Sequence, residues 1–326
     1  PMSAPSEAAP AVAPAPLETT LLLRFGELTL KSHAVRRRFT QVLRSNIEAA
    51  FVREGLDCLI RDDFGHLYVD TSDMERAVPP LTRTFGLTSL SPVALLRSSD
   101  LGEVAPFLAA FALANVPPSA ATFAVRARRT GSHPYSSMDL GRVCGSAIFE
   151  AAAVRGRPLG VNLSKPDFEV EVEVRENRTY AYARRVPCAG GLPVGTAGKI
   201  LFILRDLKRE ADLDARAAWM LMKRGAQPVF LAQGDESTRT PGPHAAAAIA
   251  RLSAWTPSYK VLVVSDPLNS EAVARLASTF KAHAVALGTR AQGGTIDGPV
   301  SLAAPLPTFH PLLALTDAEI AQIPLG

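Results

Sequence analysis

The sequence predicts a multidomain protein of mixed α/β and α+β class, and three patterns carry this prediction. Residues 21–96 alternate apolar runs with helical patterns in the order strand, helix, strand, helix, which is typical of a small α+β domain. Residues 167–185 alternate polar and apolar side chains on either side of a short turn, which predicts a β-hairpin. From Lys199 onward, apolar strands alternate with helices, which predicts a parallel sheet covered by helices.

The first domain is predicted to begin near Leu17. The run LLLRF has the composition of a strand, and a basic helix is expected over His33–Phe51. The alternating segment HLYVDT predicts a further strand. A helix over Met74–Phe85 and a strand over Thr88–Leu96 complete this domain.

The second domain is predicted to begin near Ser98. It holds a helix over residues 100–115 and a strand over 121–128, whose sequence is ATFAVRAR. A second helix follows over 136–154 with Ser136 as its N-cap, because serine at that position can accept a hydrogen bond from the first turn. The hairpin of residues 167–185, which turns at REN, closes the domain.

The third domain repeats strand and helix. Its predicted strands are KILFIL, PVFLA, YKVLVVS and HAVALG, with helices at about 206–223, 243–254 and 270–281. The predicted boundaries are a disordered Pro- and Ala-rich tail (1–18), a first domain (19–91), a second domain (92–187), a glycine-rich linker (188–198) and a third domain (199–326).

Composition narrows the class of protein. Of 326 residues, 47% are hydrophobic and 20% charged, which is ordinary for a soluble globular protein. Apolar runs fall short of the roughly 18 residues of a membrane span, and the opening segment lacks the basic and apolar regions of a signal peptide. The three cysteines have no metal-ligand or disulfide spacing. We therefore expect a cytoplasmic protein with no membrane association and no metal site.

The positive charge lies in the first part of the chain. The net charge is +4, yet the residues after Gly225 carry six Lys/Arg against seven Asp/Glu. Arg24 to Arg44 contains six Lys/Arg and a single acidic residue, Glu27. A second basic cluster is RARRTGSHPYSSMDLGR, beginning at Arg126. These two clusters predict an anionic partner.

The second cluster has the residue types that bind phosphate. Arg126 and Arg128 share one strand face, because side chains alternate along a strand. Ser136 and Ser137 then offer hydroxyls and backbone N–H groups at a helix start. Guanidiniums, hydroxyls and a helix N-terminus together suit a nucleic-acid backbone. A basic face that merely contacts water is the alternative interpretation.

Two aromatic or imidazole side chains in the same loop have open roles. Tyr135 could stack on a nucleotide or anchor the loop by partial burial. His133 is interpreted as a surface loop residue rather than as a base.

Several segments resemble one family. LRFGELTLKSHAVRRRFTQVLRSNI is similar to the ferredoxin-like domain of the ThiI family, the tRNA 4-thiouridine synthetases. FAVRARRTGSHPYSSMDLGRVCG and VNLSKPDFEVEVEVRENRTYAYARRV resemble its THUMP domain. GGLPVGTAGKIL resembles the linker into its catalytic domain, and MLMKRG the end of the first helix there.

The resemblance implies a fold and a partner. It implies a ferredoxin-like α+β domain, a THUMP domain and a shortened Rossmann-like domain of the PP-loop ATP pyrophosphatase type. It also implies that the first two domains bind the acceptor stem and 3′ end of tRNA, largely by shape. The contact candidates that it implies are Lys31, Arg36, Arg38, Arg126, Arg128, Arg129, Ser136, Ser137, Arg142 and Lys165.

The chemistry of the resembled family is missing from the third domain. Its enzymes bind ATP through a Ser-Gly-Gly-x-Asp-Ser loop, in which glycines let backbone N–H groups approach the phosphates. Here that loop falls on Arg205–Glu210 or Arg209–Asp214, and neither segment holds a glycine or a serine. No cysteine follows Cys188, so the third domain has no residue to carry a persulfide. We therefore expect no bound cofactor, ATP included, and no catalytic residue.

The sequence favours a tRNA-binding protein that has lost thiolation activity and serves as a chaperone, accessory subunit or regulator. A tRNA sulfurtransferase whose partner supplies the ATP site or the sulfur is the alternative. A third possibility is another tRNA-modifying enzyme, since VSDPLN distantly resembles a methyltransferase loop, although an Asp-Pro turn explains it as well. The resemblance implies a homodimer assembled through the third domain.

Overall fold

A computed structural model describes residues 20–26, 32–63, 66–292, 295–299, 301–302 and 306–325. Within these ranges the chain forms two compact units. The first unit comprises residues 20–22, 68–70 and 91–185, and the second comprises 23–67, 71–90 and 186–325. The N-terminal tail lies outside the described residues.

The first 96 residues contain four strands and two helices where the chain is described. They are β1 (Thr20–Phe25), α1 (His33–Arg53), β2 (Leu59–Asp63), β3 (His66–Asp70), α2 (Met74–Thr82) and β4 (Leu87–Leu96). The sequence did not predict β2, because three of its five residues are charged and its first residue, Leu59, is exposed. The α2 helix ends three residues before the predicted Phe85, with Arg83 as its C-cap. Its last turn contains two prolines, which lack the backbone N–H that a helix uses.

Residues 101–187 supply most of the first unit. They form α3 (Leu101–Asn115), β5 (Thr122–Thr130), α4 (Ser137–Val154), β6 (Gly160–Val161), β7 (Phe168–Arg175), β8 (Arg178–Tyr182) and β9 (Val186–Pro187). The predicted hairpin is confirmed, since β7 and β8 pair in antiparallel register with Arg175 opposite Arg178. The strands of this unit lie in the order β3-β1-β4-β8-β7-β5-β6.

Both faces of the β7 strand are buried. Val170, Val172 and Val174 point into the core that α3 and α4 cover. Glu171 and Glu173 on the opposite face are also buried, where Glu173 pairs with Arg175 at 2.6 Å. Alternation alone would suggest that this polar face of β7 is solvated. The ion pair with Arg175 explains why an acidic side chain is tolerated on this buried face.

The second unit contains a parallel sheet covered by helices, which confirms the predicted fold class. Its elements after the linker are β10 (Lys199–Leu204), α5 (Lys208–Lys223), β11 (Gln227–Asp235), β12 (Thr240–Pro241), α6 (Pro243–Ser253), β13 (Lys260–Val264), α7 (Ser270–Phe280), β14 (Ala284–Ala286), β15 (Ala291–Gln292), β16 (Thr295–Ile296), β17 (Thr308–Phe309) and α8 (Asp317–Ala321). The parallel strands lie in the order β13-β11-β10-β14-β17. The chain therefore adds β11 and β13 on one side of β10, and then adds β14 and β17 on the other side.

Where the chain is described, no helix is long and apolar enough to cross a membrane.

Candidate nucleic-acid interface

A groove of about 790 Å³ lies between α4 and the edge of the sheet in the first unit. It is lined by Arg126 from β5, by Ser137 and Arg142 from α4, and by several apolar side chains. Four of these apolar side chains are exposed, namely Met138, Phe149, Val161 and Leu163. Apolar surface beside guanidinium groups is what unpaired nucleotides require, since a base can pack while its phosphate is neutralised.

Two glycines on α4 keep the groove open. Gly141 and Gly145 stand four residues apart, so they share one face of the helix and both line the groove. A Cβ on Gly141 would lie 3.4 Å from the Cβ of Ala127, whereas one on Gly145 would meet its nearest neighbour, Val125, only at 4.0 Å. The helix therefore approaches β5 closely, and space remains above the two glycines.

Arg126 is held in place at the rim of the groove. Its Nε donates to Glu169 Oε2 at 2.7 Å, and one terminal nitrogen donates to the carbonyl of Leu163 at 3.0 Å. Asn162 fixes the same loop, because its side chain accepts from the backbone N–H of Lys165 at 3.0 Å. Arg126 thus shapes the groove wall as well as carrying charge.

The N-terminus of α4 is closed by a capping box. The Ser136 hydroxyl accepts from the Asp139 N–H at 3.1 Å, and Asp139 accepts from the backbone N–H of Ser136 at 3.0 Å. Hydrogen bonds from the side chain and backbone of Ser136 lower the pKa of Asp139. The predicted N-cap is confirmed. The Ser136 hydroxyl takes part in the capping box with Asp139, whereas Ser137 lines the groove.

The remaining candidates of this unit are exposed. Arg128 and Arg129 lie at the end of β5, Lys165 lies in the loop beside the groove, and Arg142 leaves 77% of its side chain exposed. Arg129 donates to the carbonyl of Gly131 at 3.0 Å. Whether these side chains contact RNA stays a prediction.

Tyr135 anchors its loop. Its hydroxyl donates to the carbonyl of Ser99 at 2.6 Å, and burial raises its pKa. His133 stacks on its ring at 5.4 Å. Of the two roles considered for Tyr135, this geometry favours the anchor.

A second basic surface lies on α1 in the second unit. His33, Arg36, Arg37 and Arg44 line a groove of about 500 Å³, which also contains Asp62. Arg38 is exposed but turns away from this groove, and its guanidinium donates to the carbonyl of Thr196 at 3.0 Å. The candidate Lys31 lies outside the described residues.

Sequence reasoning missed the apolar lining of the first groove. A signal was present in α4, because its buried stripe runs through Leu140, Cys144 and Ile148 and leaves Met138 and Phe149 off that stripe. The paired glycines of the same helix were a second signal, since glycine in a helix interior costs about 1 kcal/mol relative to alanine.

The carboxyl ends of β10 and β14 mark the place where an open parallel sheet binds its ligand, because the strand order reverses between them. Here the carboxylate of Asp214 fills that place. It accepts from the backbone N–H of Arg205 at 3.0 Å and from that of Gly288 at 2.8 Å, and it pairs with the Arg205 guanidinium at 2.8 Å. A Cβ on Gly288 would lie 2.3 Å from the backbone of Leu213, so α5 packs directly against the end of β14.

A second carboxylate occupies the N-terminus of α6. Asp206 Oδ1 accepts from the N–H groups of His244 and Ala245 at 2.7 and 3.1 Å. A helix N-terminus offers these N–H groups to anions, and an aspartate of the chain itself meets them here.

The cysteines lack the environment of a reactive thiol. Burial raises the pKa of both Cys144 and Cys188 to about 12 and also raises that of Cys58, so all three are protonated at neutral pH. Among the described residues, no cluster of His, Cys, Asp or Glu has the arrangement of a metal site.

Comparison with known families identifies the chain. Residues 20–91 match the model of the ThiI ferredoxin-like domain, and residues 100–183 match that of the THUMP domain. The chain belongs to the ThiI family.

Its relatives include enzymes of tRNA modification. A probable tRNA sulfurtransferase from Methanosarcina acetivorans is 35% identical over 251 residues, which cover 76% of this chain and 59% of the relative. One from Methanosarcina mazei is 34% identical over the same length, covering 76% and 60%. This ThiI-family chain thus spans about three fifths of the length of these curated relatives.

Solved structures share the fold of this ThiI-family chain. PH1313 from Pyrococcus horikoshii has a TM-score of 0.73 at 25% identity, covering 93% of this chain and 97% of its own. A 4-thiouridine synthetase, solved as an RNA complex with bound ATP, has a TM-score of 0.69 at 20% identity and covers 92% and 82%. This second likeness concerns the fold alone.

Proposed function

We propose that this chain binds tRNA at the acceptor stem and its single-stranded 3′ end, and that it has lost ATP-dependent thiolation. The groove beside α4 carries the first half of the proposal. Its exposed Met138 and Phe149 suit unstacked bases, and Arg126 and Arg142 stand beside them to meet phosphates. Arg36, Arg37 and Arg44 on α1 suit the phosphates of a double-stranded stem.

The buried Asp214 supports the second half. The backbone N–H groups of Arg205 and Gly288, which follow β10 and β14 at the switch point, are already bonded to this carboxylate. A phosphate placed beside Asp206 would meet like charge. The protonated thiols of the buried Cys144 and the half-buried Cys188 are equally unsuited to sulfur transfer.

Binding to tRNA with and without its single-stranded 3′ end tests the RNA half. The full tRNA should bind more tightly than the truncated one, and its affinity should fall steeply between about 50 and about 200 mM salt. Equal affinity for the two RNAs would contradict the role of the groove. Binding that is insensitive to salt, or absent, would remove tRNA as the partner.

Calorimetry with ATP, with and without tRNA, tests the loss of activity. We expect no heat of ATP binding in either titration, because the switch point is filled by the chain. Saturable ATP binding would instead favour a tRNA sulfurtransferase that acts with a partner.

We also propose a cytoplasmic location, in keeping with tRNA as partner, and a homodimer assembled through the third domain. The edge strand β13 supports the homodimer, because Val261 on it and Tyr259 just before it are partly exposed. An edge strand that offers its backbone to solvent can pair with a second copy of itself.

A further inference from the structure

The α1 helix is fastened to the third domain and to the linker that enters it. Asn46 Nδ2 donates to the carbonyl of Val194 at 3.0 Å, and Arg38 donates to that of Thr196 at 3.0 Å. At the end of the helix, Arg53 donates to the carbonyls of Ser253 and Thr256 at 2.6 and 3.3 Å. We use the term brace for the linker residues 191–198 together with residues 253–256.

The linker part of the brace is fixed to α5. The N–H of Leu192 donates to the carbonyl of Lys223 at 2.9 Å, and Gly195 and Ala197 both donate to that of Gly225. At Gly191 the φ angle is 76°, and a Cβ there would lie 2.2 Å from the carbonyl oxygen of Lys223. The glycine-rich linker is therefore packed tightly against the third domain at these positions, rather than forming a phosphate loop.

The brace and the basic groove contact opposite sides of α1. At about 100° of rotation per residue, Arg38, Asn46 and Arg53 lie within about 80° of one another. The groove residues Arg36, Arg37 and Arg44 centre on the other side of the helix, and buried residues such as Leu43 lie between the two sides. The brace therefore fixes the rotation and position of α1 without covering its basic side.

We propose that the third domain acts through this brace to position the basic side of α1 for RNA. Asn46 and Arg53 are then positioning residues, which raise RNA affinity without touching RNA. This inference rests on the proposed tRNA binding and adds the reason for retaining the domain. It also explains why the guanidinium of Arg38, a predicted RNA contact, donates to a backbone carbonyl of the linker instead.

The test uses three variants of the full chain and one control. Asn46→Ala removes a brace contact without changing charge. Asn46→Ala combined with Arg53→Ala removes the contacts of two of the three fastening residues and leaves that of Arg38 with Thr196. Arg36→Ala removes a groove cation. Arg275→Ala removes one exposed charge from α7 in the third domain and serves as the charge-matched control.

The double variant should bind tRNA about tenfold more weakly, with the wild-type dependence of log affinity on log salt, because no phosphate contact is lost. Arg36→Ala should reduce that salt slope by about one unit. Hydrogen exchange in the free protein should accelerate along α1 in the double variant and stay unchanged in Arg36→Ala. Arg275→Ala should match the wild type in all three measurements.

Arg53→Lys and the single Asn46→Ala keep the test informative if the double variant fails to fold. Lysine still offers a donor to the carbonyls, so Arg53→Lys should recover most of the affinity. Wild-type tRNA affinity in the Asn46→Ala and double variants would overturn the inference, as would a reduced salt slope for the double variant. A wild-type chain that does not bind tRNA would remove the proposed function and this inference with it, whereas wild-type binding with unaffected brace variants removes this inference alone.

Discussion

Two arginines on one strand face have different surroundings. Arg126 and Arg128 both lie on β5, two residues apart. Arg126 is tied to Glu169 and to the carbonyl of Leu163, so part of its charge is neutralised within the protein. Arg128 is exposed, which makes it the clearer candidate for a phosphate contact. The sequence could place both on one face but not separate them, because Glu169 lies 43 residues away.

Arg128→Ala should weaken binding uniformly across tRNAs and reduce the salt slope by about one unit. Arg126→Ala should reduce the affinity for single-stranded 3′ end RNA more than the affinity for stem RNA, because it also releases the loop that holds Leu163. Fluorescence anisotropy at several salt concentrations measures both effects. An unchanged slope in Arg128→Ala would exclude a phosphate contact for this side chain.

Asp214 should be important for stability because it is an acceptor for several donors at once. Asp214→Ala would leave the Arg205 guanidinium, 13% exposed, without its charge partner, and should lower the free energy of unfolding by about 3–5 kcal/mol. Asp206→Ala removes a half-buried helix cap and should cost only about 1 kcal/mol. Urea unfolding of the two variants tests the contrast, and equal losses would contradict it.

At the scale of elements, α4 carries two glycines that line the groove, and Gly141 also lets the helix approach Ala127 of β5. Gly145→Ala should raise the free energy of unfolding by about 0.5–1 kcal/mol, because the added Cβ meets Val125 only at 4.0 Å. Gly145→Leu should fold as stably as the wild type but bind RNA poorly, since its side chain would enter the groove. Thermal melting and tRNA binding measure the two effects. Full RNA binding by the leucine variant would exclude nucleotides from this part of the groove.

The cap of α4 should make the helix sensitive to acid. The folded state lowers the pKa of Asp139 below its ordinary value of 3.8, so its stabilisation is present above that value and is lost as pH falls through the lower folded pKa. The stability advantage of the wild type over Asp139→Asn should therefore shrink steadily as the pH is lowered from 5 to about 2. Thermal melting of the two proteins across this range measures it. A difference independent of pH would show that the cap does not depend on the charge.

The elements that sequence reasoning found were those with a strong local pattern. The long helix α1, the capped helix α4 and the β7–β8 hairpin follow from periodicity, an N-cap serine and alternation. The strand β2 was not predicted because its sequence, LIRDD, has no apolar alternation, and it lies at the end of the sheet, where its neighbour is β3. The groove was not predicted, although Phe149 lies off the buried stripe of α4, because its other wall comes from separate segments, β5 and residues 161–163.

At the scale of the whole molecule, a Rossmann-like third domain implies a sheet with a reversal of strand order, here between β10 and β14. It does not imply that the carboxylate of Asp214 occupies the site at that reversal. The acidic residues of the segment after β10 were visible in the sequence as a like-charge obstacle to phosphates. That one of them turns inward to bind Arg205 and Gly288 depends on a partner 74 residues further along the chain. The fold of the third domain is thus predictable from its pattern, whereas the state of its ligand site depends on contacts between distant segments.

The proposed homodimer depends on the edge of the parallel sheet. Among the described residues, β13 pairs only with β11, and Val261 on this strand and Tyr259 just before it are 37% and 39% exposed. Proteins place charged side chains, lysine above all, on edge strands to prevent pairing. β13 has one such side chain at its first residue, the exposed Lys260, and Val261→Lys adds a second beside it. Val261→Lys should therefore convert the dimer to a monomer, which sedimentation velocity at micromolar concentration measures.

Val154→Lys is the matched control for this change, because Val154 is an 83% exposed valine at the end of α4 in the first unit. It adds the same charge and should leave the dimer intact. Because the groove beside α4 and the basic side of α1 belong to a single chain, the Val261→Lys monomer should retain tRNA binding per protomer. A wild-type chain that sediments as a monomer, or a Val261→Lys variant that remains a dimer, would place β13 outside any interface.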